Sequence, residues 1–180
     1  MKATGIVRRI DDLGRVVIPK EIRRTMRIRE GDPLEIFTDK DGEVIFKKYS
    51  PIGELSDFAA QICDSLHKST DCVAAVCDRD LVIAVAGGGR RELFEKRISP
   101  ELEQIMESRR VYRHESGGSS VPVTDGESGY CVSVAAPVIS EGDLMGCVIF
   151  ASPKNAPPSG DVEYKLAQTV ASFLGKQMES

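Results

Sequence analysis

The segment from Gly5 to Arg24 predicts two short strands joined by a tight turn, followed at once by a helix. Residues 5–10 are apolar or basic apart from Gly5, and the Asp-Asp-Leu-Gly-Arg run at 11–15 carries the Asp and Gly that tight turns favour. The β-branched residues 16–18 predict the second strand. Pro19 suits the first turn of a helix, where its missing N–H has no partner to lose. We therefore expect a small β-rich unit with one short helix.

Six basic side chains occur along this segment, on the predicted strands, the turn and the start of the helix. Guanidinium groups spread in this way suit an extended polyanion better than a small buried substrate. A solvated face that keeps the chain soluble is the alternative interpretation. We favour a DNA-binding surface, because a common partner explains why the charges flank one turn. The residues concerned are Arg8, Arg9, Arg15, Lys20, Arg23 and Arg24.

Charge separates the first 49 residues from the rest of the 180-residue chain. Residues 1–49 contain 12 Lys and Arg against 9 Asp and Glu, a net charge of +3, whereas residues 50–180 contain 12 against 19, a net charge of −7. The formal net charge of −4 conceals this difference. Such an asymmetry is typical of a nucleic-acid-binding part joined to a part with another role.

The N-terminal part is too small to bury much surface by itself. After the helix, a hairpin is predicted from Leu34–Phe37 and Val44–Phe46 around the turn at 39–42. A unit of about fifty residues usually needs a disulfide, a metal or a partner chain. It contains no cysteine and no metal-ligand cluster. We therefore expect a homodimer, which also places two basic surfaces side by side on two-fold DNA.

Residues 1–49 resemble the DNA-binding domain of the AbrB family of transition-state regulators. The resemblance is carried by the runs Gly-Ile-Val-Arg at 5–8, Asp-Leu-Gly-Arg-Val-Val-Ile-Pro at 12–19 and Ile-Arg-Arg at 22–24, with Gly-Asp at 31–32 and Leu-Glu-Ile at 34–36. It implies a swapped-hairpin dimer. It also implies that DNA is contacted by Arg8, Arg15, Arg23 and Arg24, whereas Arg9 and Lys20 rest on charge and proximity only. We expect mainly phosphate contacts and one or two guanine contacts, with DNA shape contributing because no long recognition helix is present.

Residues 51–180 predict a second, α+β domain with an antiparallel sheet flanked by helices. Its connecting helix is expected at 51–68, with an apolar stripe that could pack on its own sheet or on a neighbouring chain. Ser99 and Pro100 predict the start of a later helix. The Gly- and Ser-rich residues 116–130 suggest a long mobile loop. The remaining predicted elements are strands at 72–77, 81–85, 130–139 and 144–151 and a final helix after Gly160.

The last predicted hairpin resembles the closing hairpin of a GAF domain, a family that often senses small ligands. The resemblance rests on Ala-Pro-Val-Ile at 136–139, Gly142 and Leu-Met-Gly-Cys-Val-Ile-Phe at 144–150. An AbrB-like domain at 1–50 followed by a GAF-like domain at 51–180 is similar to transcription regulators of endospore-forming bacteria. This similarity implies control of sporulation genes and a tetramer built as a dimer of dimers. An unidentified small molecule is then a candidate ligand, with the loops at 87–91 and 116–130 as its rim.

No enzyme, cofactor or metal site is predicted. The cysteines, Cys63, Cys72, Cys77, Cys131 and Cys147, form no Cys-x-x-Cys pair, and four lie in apolar predicted strands, where cysteine is usually a core residue. A cysteine-dependent GAF enzyme and an antitoxin that regulates its own gene remain the alternatives. The absence of an apolar N-terminal signal or a membrane-length apolar run leads us to expect a cytoplasmic protein without a membrane partner.

Overall fold

A computed structural model describes residues 3–179 of the chain. These residues divide after Tyr49 into two compact units, which we call unit 1 (up to residue 49) and unit 2 (from residue 50). Among the described residues, no helix is both long and apolar enough to cross a bilayer.

Unit 1 consists of one short helix and one hairpin. Helix α1 spans Lys20–Met26 and ends where Arg27 adopts a left-handed conformation. Strands β1 (Leu34–Thr38) and β2 (Val44–Lys48) pair antiparallel, with Ile36 opposite Phe46. The Asp39 carboxylate accepts backbone hydrogen bonds from Asp41 and Glu43 and so closes the turn. The predicted hairpin is confirmed.

The two strands predicted before α1 are absent from the single chain. In the described part of unit 1, residues 5–10 and 16–18 form no strand, and the only backbone hydrogen bonds linking the two sides of the turn join Asp11 to Arg15 and Gly14 to Asp11. A strand needs a neighbouring strand, and this chain supplies none here. The β-branched residues at 16–18 therefore favour a strand locally, but they have no partner strand within one chain.

Unit 2 is a five-stranded antiparallel sheet in the order β4-β3-β7-β6-β5. A 3-10 turn at Gly53–Leu55 leads into helix α2 (Ser56–Thr70), so the connecting helix begins later than the predicted residue 51. The strands and other helices are β3 (Val73–Cys77), β4 (Val82–Ala86), α3 (Arg90–Leu93), α4 (Pro100–Glu107), β5 (Tyr112–Arg113), β6 (Tyr130–Ser140), β7 (Asp143–Pro153) and α5 (Asp161–Gln177).

Both faces of this sheet are buried. Helices α2 and α5 cover one face, where Cys63, Leu66 and Leu174 pack against Val76, Val148 and Phe150. Of the predicted apolar stripe, Ile52 and Leu66 are buried in the core of unit 2, and Phe58 and Ile62 pack half-buried against it. Helix α4 covers the other face, and its predicted cap is confirmed because the Ser99 hydroxyl accepts a hydrogen bond from the Leu102 N–H at 3.0 Å.

The segment predicted to be a long mobile loop is pinned at its middle. Val123 and Thr124 are buried, and the Ser99 N–H donates to the Val123 carbonyl. The Ser99 hydroxyl donates to the Pro122 carbonyl at 2.6 Å. Only the Gly- and Ser-rich stretches on either side of this anchor remain loop-like.

Candidate nucleic-acid interface

The turn at residues 11–15 is built around one carboxylate. Oδ1 of Asp11 accepts hydrogen bonds from the backbone N–H groups of Leu13 (3.0 Å) and Arg15 (2.8 Å). Oδ2 accepts from Nε of Arg15 at 2.8 Å. Gly14, with φ +74°, takes the left-handed conformation that the turn requires. These bonds from the backbone and side chain of Arg15 lower the pKa of Asp11 below its ordinary value, so the carboxylate is charged near neutral pH.

Helix α1 carries the next group of basic residues. Pro19 is buried at the start of the helix, and Lys20, Arg23 and Arg24 are exposed along it. The Lys48 ammonium donates to the Arg27 carbonyl at 2.9 Å, which ties the end of β2 to the end of α1. The helix is thus held by the hairpin while its cationic side chains face solvent.

All six predicted DNA-binding residues are exposed. Arg8 and Arg9 lie on the segment before the turn, Arg15 closes the turn, and the other three lie on α1. Arg15 is held by the ion pair with Asp11, with 69% of its side chain exposed. Within residues 3–179 the other five side chains make no hydrogen bond or ion pair. They are available to an external anion.

The prediction from sequence missed the role of Asp11. The signal was present as an Asp followed by a Gly three positions later and by an Arg four positions later. Asp side chains commonly bond the backbone two residues ahead in such turns. The second bond, from Asp11 to the Arg15 side chain, depends on the fold of the turn, so spacing alone does not establish it.

Unit 1 leaves most of its apolar residues uncovered. Among residues 3–49 only Pro19 is buried. Ile36, Val44 and Phe46 share one face of the hairpin and are 61%, 59% and 43% exposed. Val7 and Val17 are 87% and 70% exposed. The described residues of unit 1 therefore include an apolar surface that they do not cover themselves.

In unit 2 the structure brings the two predicted rim loops together. Gly89 lies against Tyr130, where an added Cβ would be 2.7 Å from the ring. The Gly129 N–H donates to a Glu92 carboxylate oxygen at 3.1 Å. The face of the sheet on this side is covered by the chain's own side chains, all at most 1% exposed: Leu93, Ile98, Leu102, Met106 and Val123.

Three of the five cysteines belong to the core of unit 2. Cys63, Cys77 and Cys147 are fully buried, and half-buried Cys72 packs against the core, so the core prediction is wrong only for half-buried Cys131. Burial raises the pKa of the Cys63 thiol to about 12. Burial, and then the neighbouring Cys147, hold the pKa of Cys77 well above its ordinary value. Within residues 3–179 no group of three or more His, Cys, Asp or Glu side chains could hold a metal ion.

Comparison with known families also finds two parts, which meet between residues 53 and 54. The family described as "Stage V sporulation protein T C-terminal, transcription factor" matches residues 54–179. The family described as "Antidote-toxin recognition MazE, bacterial antitoxin" matches residues 7–53. A GAF domain from Acinetobacter phosphoenolpyruvate-protein phosphotransferase has the fold of unit 2, with a TM-score of 0.51 at 10% identity over 73% of this chain and 84% of the other.

Two relatives come from Bacillus subtilis (strain 168). The transition state regulatory protein AbrB is 57% identical over 63 residues, which are 32% of this chain and 65% of AbrB. Stage V sporulation protein T is 52% identical over 180 residues, covering 99% of each chain. The predicted resemblances to AbrB and to GAF domains, and the α+β fold class, are confirmed. The chain belongs to the stage V sporulation protein T family of transcription factors.

Proposed function

We propose that this transcription regulator binds double-stranded DNA through a surface made by two copies of unit 1. The observation that carries the proposal is the set of exposed arginines at Arg8, Arg15, Arg23 and Arg24, with Arg9 and Lys20 as weaker members. They lie on a unit that is 61% identical, over 28% of this chain, to the N-terminal DNA recognition domain of the Bacillus subtilis transition-state regulator AbrB. Phosphate contacts supply most of the affinity, and one or two arginines read guanine edges.

The dimer is supported by what unit 1 leaves exposed. Ile36, Val44 and Phe46 form an apolar face, and residues 5–10 and 16–18 have no strand partner within the described chain. A second copy covers the apolar face and completes the two strands by pairing with them, as a swapped hairpin does. The pairing explains why a strand-forming sequence forms no strand in one chain.

Unit 2 joins such dimers into a tetramer and receives a regulatory signal. A small molecule would enter between the loops at 87–91 and 116–130. Because Leu93, Leu102 and Met106 fill the space beneath these loops, a ligand has to displace them. Binding then regulates transcription only if the displaced arrangement favours a different assembly or DNA affinity. The name of the relative that aligns along 99% of each chain supports control of sporulation genes. A regulator that binds DNA in a bacterium acts in the cytoplasm.

An antitoxin that regulates its own gene is the second candidate function. The match of residues 7–53 to an antitoxin family favours it. Against it stands unit 2, a folded domain with a buried core rather than an extended toxin-binding tail. Purification from the native host tests it, since an antitoxin is recovered with a stoichiometric toxin. A cysteine enzyme that uses Cys63, Cys72 or Cys77 is disfavoured, because burial raises the pKa of each of these thiols and protonated thiols are poor nucleophiles.

The binding surface is tested by replacing Arg23 with Ala in the full chain. We expect DNA affinity to fall at least about tenfold, because a two-fold dimer loses the contact twice. Arg110, exposed on unit 2 outside the two loops, is the matched control, and Arg110→Ala should leave affinity unchanged. Sedimentation of both variants checks that assembly is intact. Wild-type affinity for the Arg23 variant removes that residue from the surface.

A further inference from the structure

The Asp11 carboxylate divides its two oxygens between two tasks. Oδ1 holds the backbone of the turn through the N–H groups of Leu13 and Arg15. Oδ2 holds the Arg15 side chain through Nε at 2.8 Å. The first task shapes the loop, and the second fixes the direction of a guanidinium group that is 69% exposed.

The contact at Nε limits how Arg15 can bind a second anion. A guanidinium group has five N–H donors and can form a two-pronged contact either through Nε and one Nη or through both Nη groups. Asp11 occupies Nε, so only the end formed by both Nη groups remains. That end matches the O6 and N7 acceptors of a guanine or two oxygens of a phosphate.

We propose that Asp11 is a positioning residue for DNA recognition, which holds the Arg15 guanidinium with both Nη groups directed at one pair of DNA acceptor atoms. This inference rests on the proposed function, since it requires that Arg15 contact DNA. Asp11 itself carries a negative charge beside a polyanion. Any favourable effect on DNA binding beyond its part in the turn therefore has to act through the Arg15 side chain, and this distinguishes it from a residue that merely forms the turn.

Asp12 provides a matched control in the same turn. It is exposed, carries the same charge, and makes no side-chain hydrogen bond within the described residues. Asp11→Asn keeps an oxygen that can accept the two backbone hydrogen bonds of the turn and removes the ionic acceptor for Nε. Asp12→Asn removes one negative charge and no contact. Comparing the two variants separates positioning from simple electrostatics.

The test is a double-mutant cycle on the full chain. The probe is a DNA duplex selected by the wild-type chain from a random-sequence library, with calf-thymus DNA as the non-specific competitor. We expect Asp11→Asn to weaken binding about five- to tenfold, because a charge-assisted hydrogen bond that orients Arg15 is lost. Asp12→Asn should bind as tightly as wild type or slightly more tightly. In the Arg15→Ala background, Asp11→Asn should cause no further loss.

Each other outcome has a distinct meaning. An equal loss from Asp11→Asn with and without Arg15 shows a structural role and overturns the inference, as does tighter binding by Asp11→Asn. If Arg15→Ala binds with wild-type affinity, Arg15 does not contact DNA. That result overturns the inference about Asp11 together with the proposed role of Arg15. If Asp11→Asn weakens binding only when Arg15 is present, its ratio of specific to non-specific affinity identifies the acceptor. A ratio lower than that of wild type indicates a guanine contact, and an unchanged ratio indicates a phosphate contact.

Discussion

Replacing Ile36 with Ser tests whether a second chain covers unit 1. Ile36 is 61% exposed in the single chain, on the same face as Val44 and Phe46. Full burial of an Ile side chain stabilises by about 1.5–3 kcal/mol, so covering the exposed part contributes about 0.9–1.8 kcal/mol per chain. Because a two-fold dimer buries this side chain in both copies, the contribution to dimer stability is about 1.8–3.6 kcal/mol. We therefore expect the dissociation constant of the dimer to rise about 20- to 400-fold.

Sedimentation velocity of the full chain over a dilution series measures this effect. The variant should lose half its mass at concentrations where wild type stays assembled, because one of the proposed interfaces is weakened and the other is untouched. Glu35→Ser is the control, since Glu35 pairs with Lys47 on the opposite face of the hairpin. It should assemble like wild type. An Ile36 variant with wild-type mass at every concentration refutes the idea that a partner covers this face.

Two further predictions concern unit 2. Burial raises the pKa of Cys63 to about 12 and that of Cys77 well above its ordinary value. At mildly alkaline pH both thiols therefore stay protonated, and a thiol reagent should modify them only after the protein unfolds. Mass spectrometry locates the modified cysteines, and rapid labelling of Cys63 or Cys77 in the native protein contradicts the prediction. Gly175→Ala should destabilise unit 2 by about 2 kcal/mol, because the new Cβ overlaps the Ile139 carbonyl and outweighs the gain in helix propensity. Exposed Ser172→Ala on the same helix is the control, and an unchanged melting temperature for the Gly175 variant is the contrary result.

Much of unit 2 could be predicted from its sequence because its signals are local. Ser99 and Pro100 mark a helix start, and the Ser99 hydroxyl indeed caps α4. The final hairpin and α5 also lie close to their predicted positions. Strand β5, with only two residues, was missed because it pairs with β6 across a long sequence separation. The anchoring of residues 116–130 was missed for the same reason, since it depends on contacts with Ser99.

Unit 1 shows where local signals stop being sufficient. The turn at 11–15 and the hairpin of β1 and β2 were predicted from Asp and Gly positions. The β-branched sequence at 16–18 predicted a strand that the single chain does not form, because a strand forms only where a partner strand exists. The six basic residues were singled out by their charge and position, and the resemblance to the AbrB family gave priority to four of them. The orientation of Arg15 by Asp11 became visible only when both side chains were placed on the same turn.

The salt dependence of DNA binding by the full chain tests the central claim most directly. Four arginines from each of two chains give eight cationic contacts, and if all of them neutralise phosphates, log K should fall with log salt concentration at a slope of roughly −7. The Arg23→Ala variant, which loses two of these contacts, should give a slope of roughly −5. An identical slope for the variant means that Arg23 neutralises no phosphate, whereas a wild-type slope near zero contradicts DNA binding by paired copies of unit 1.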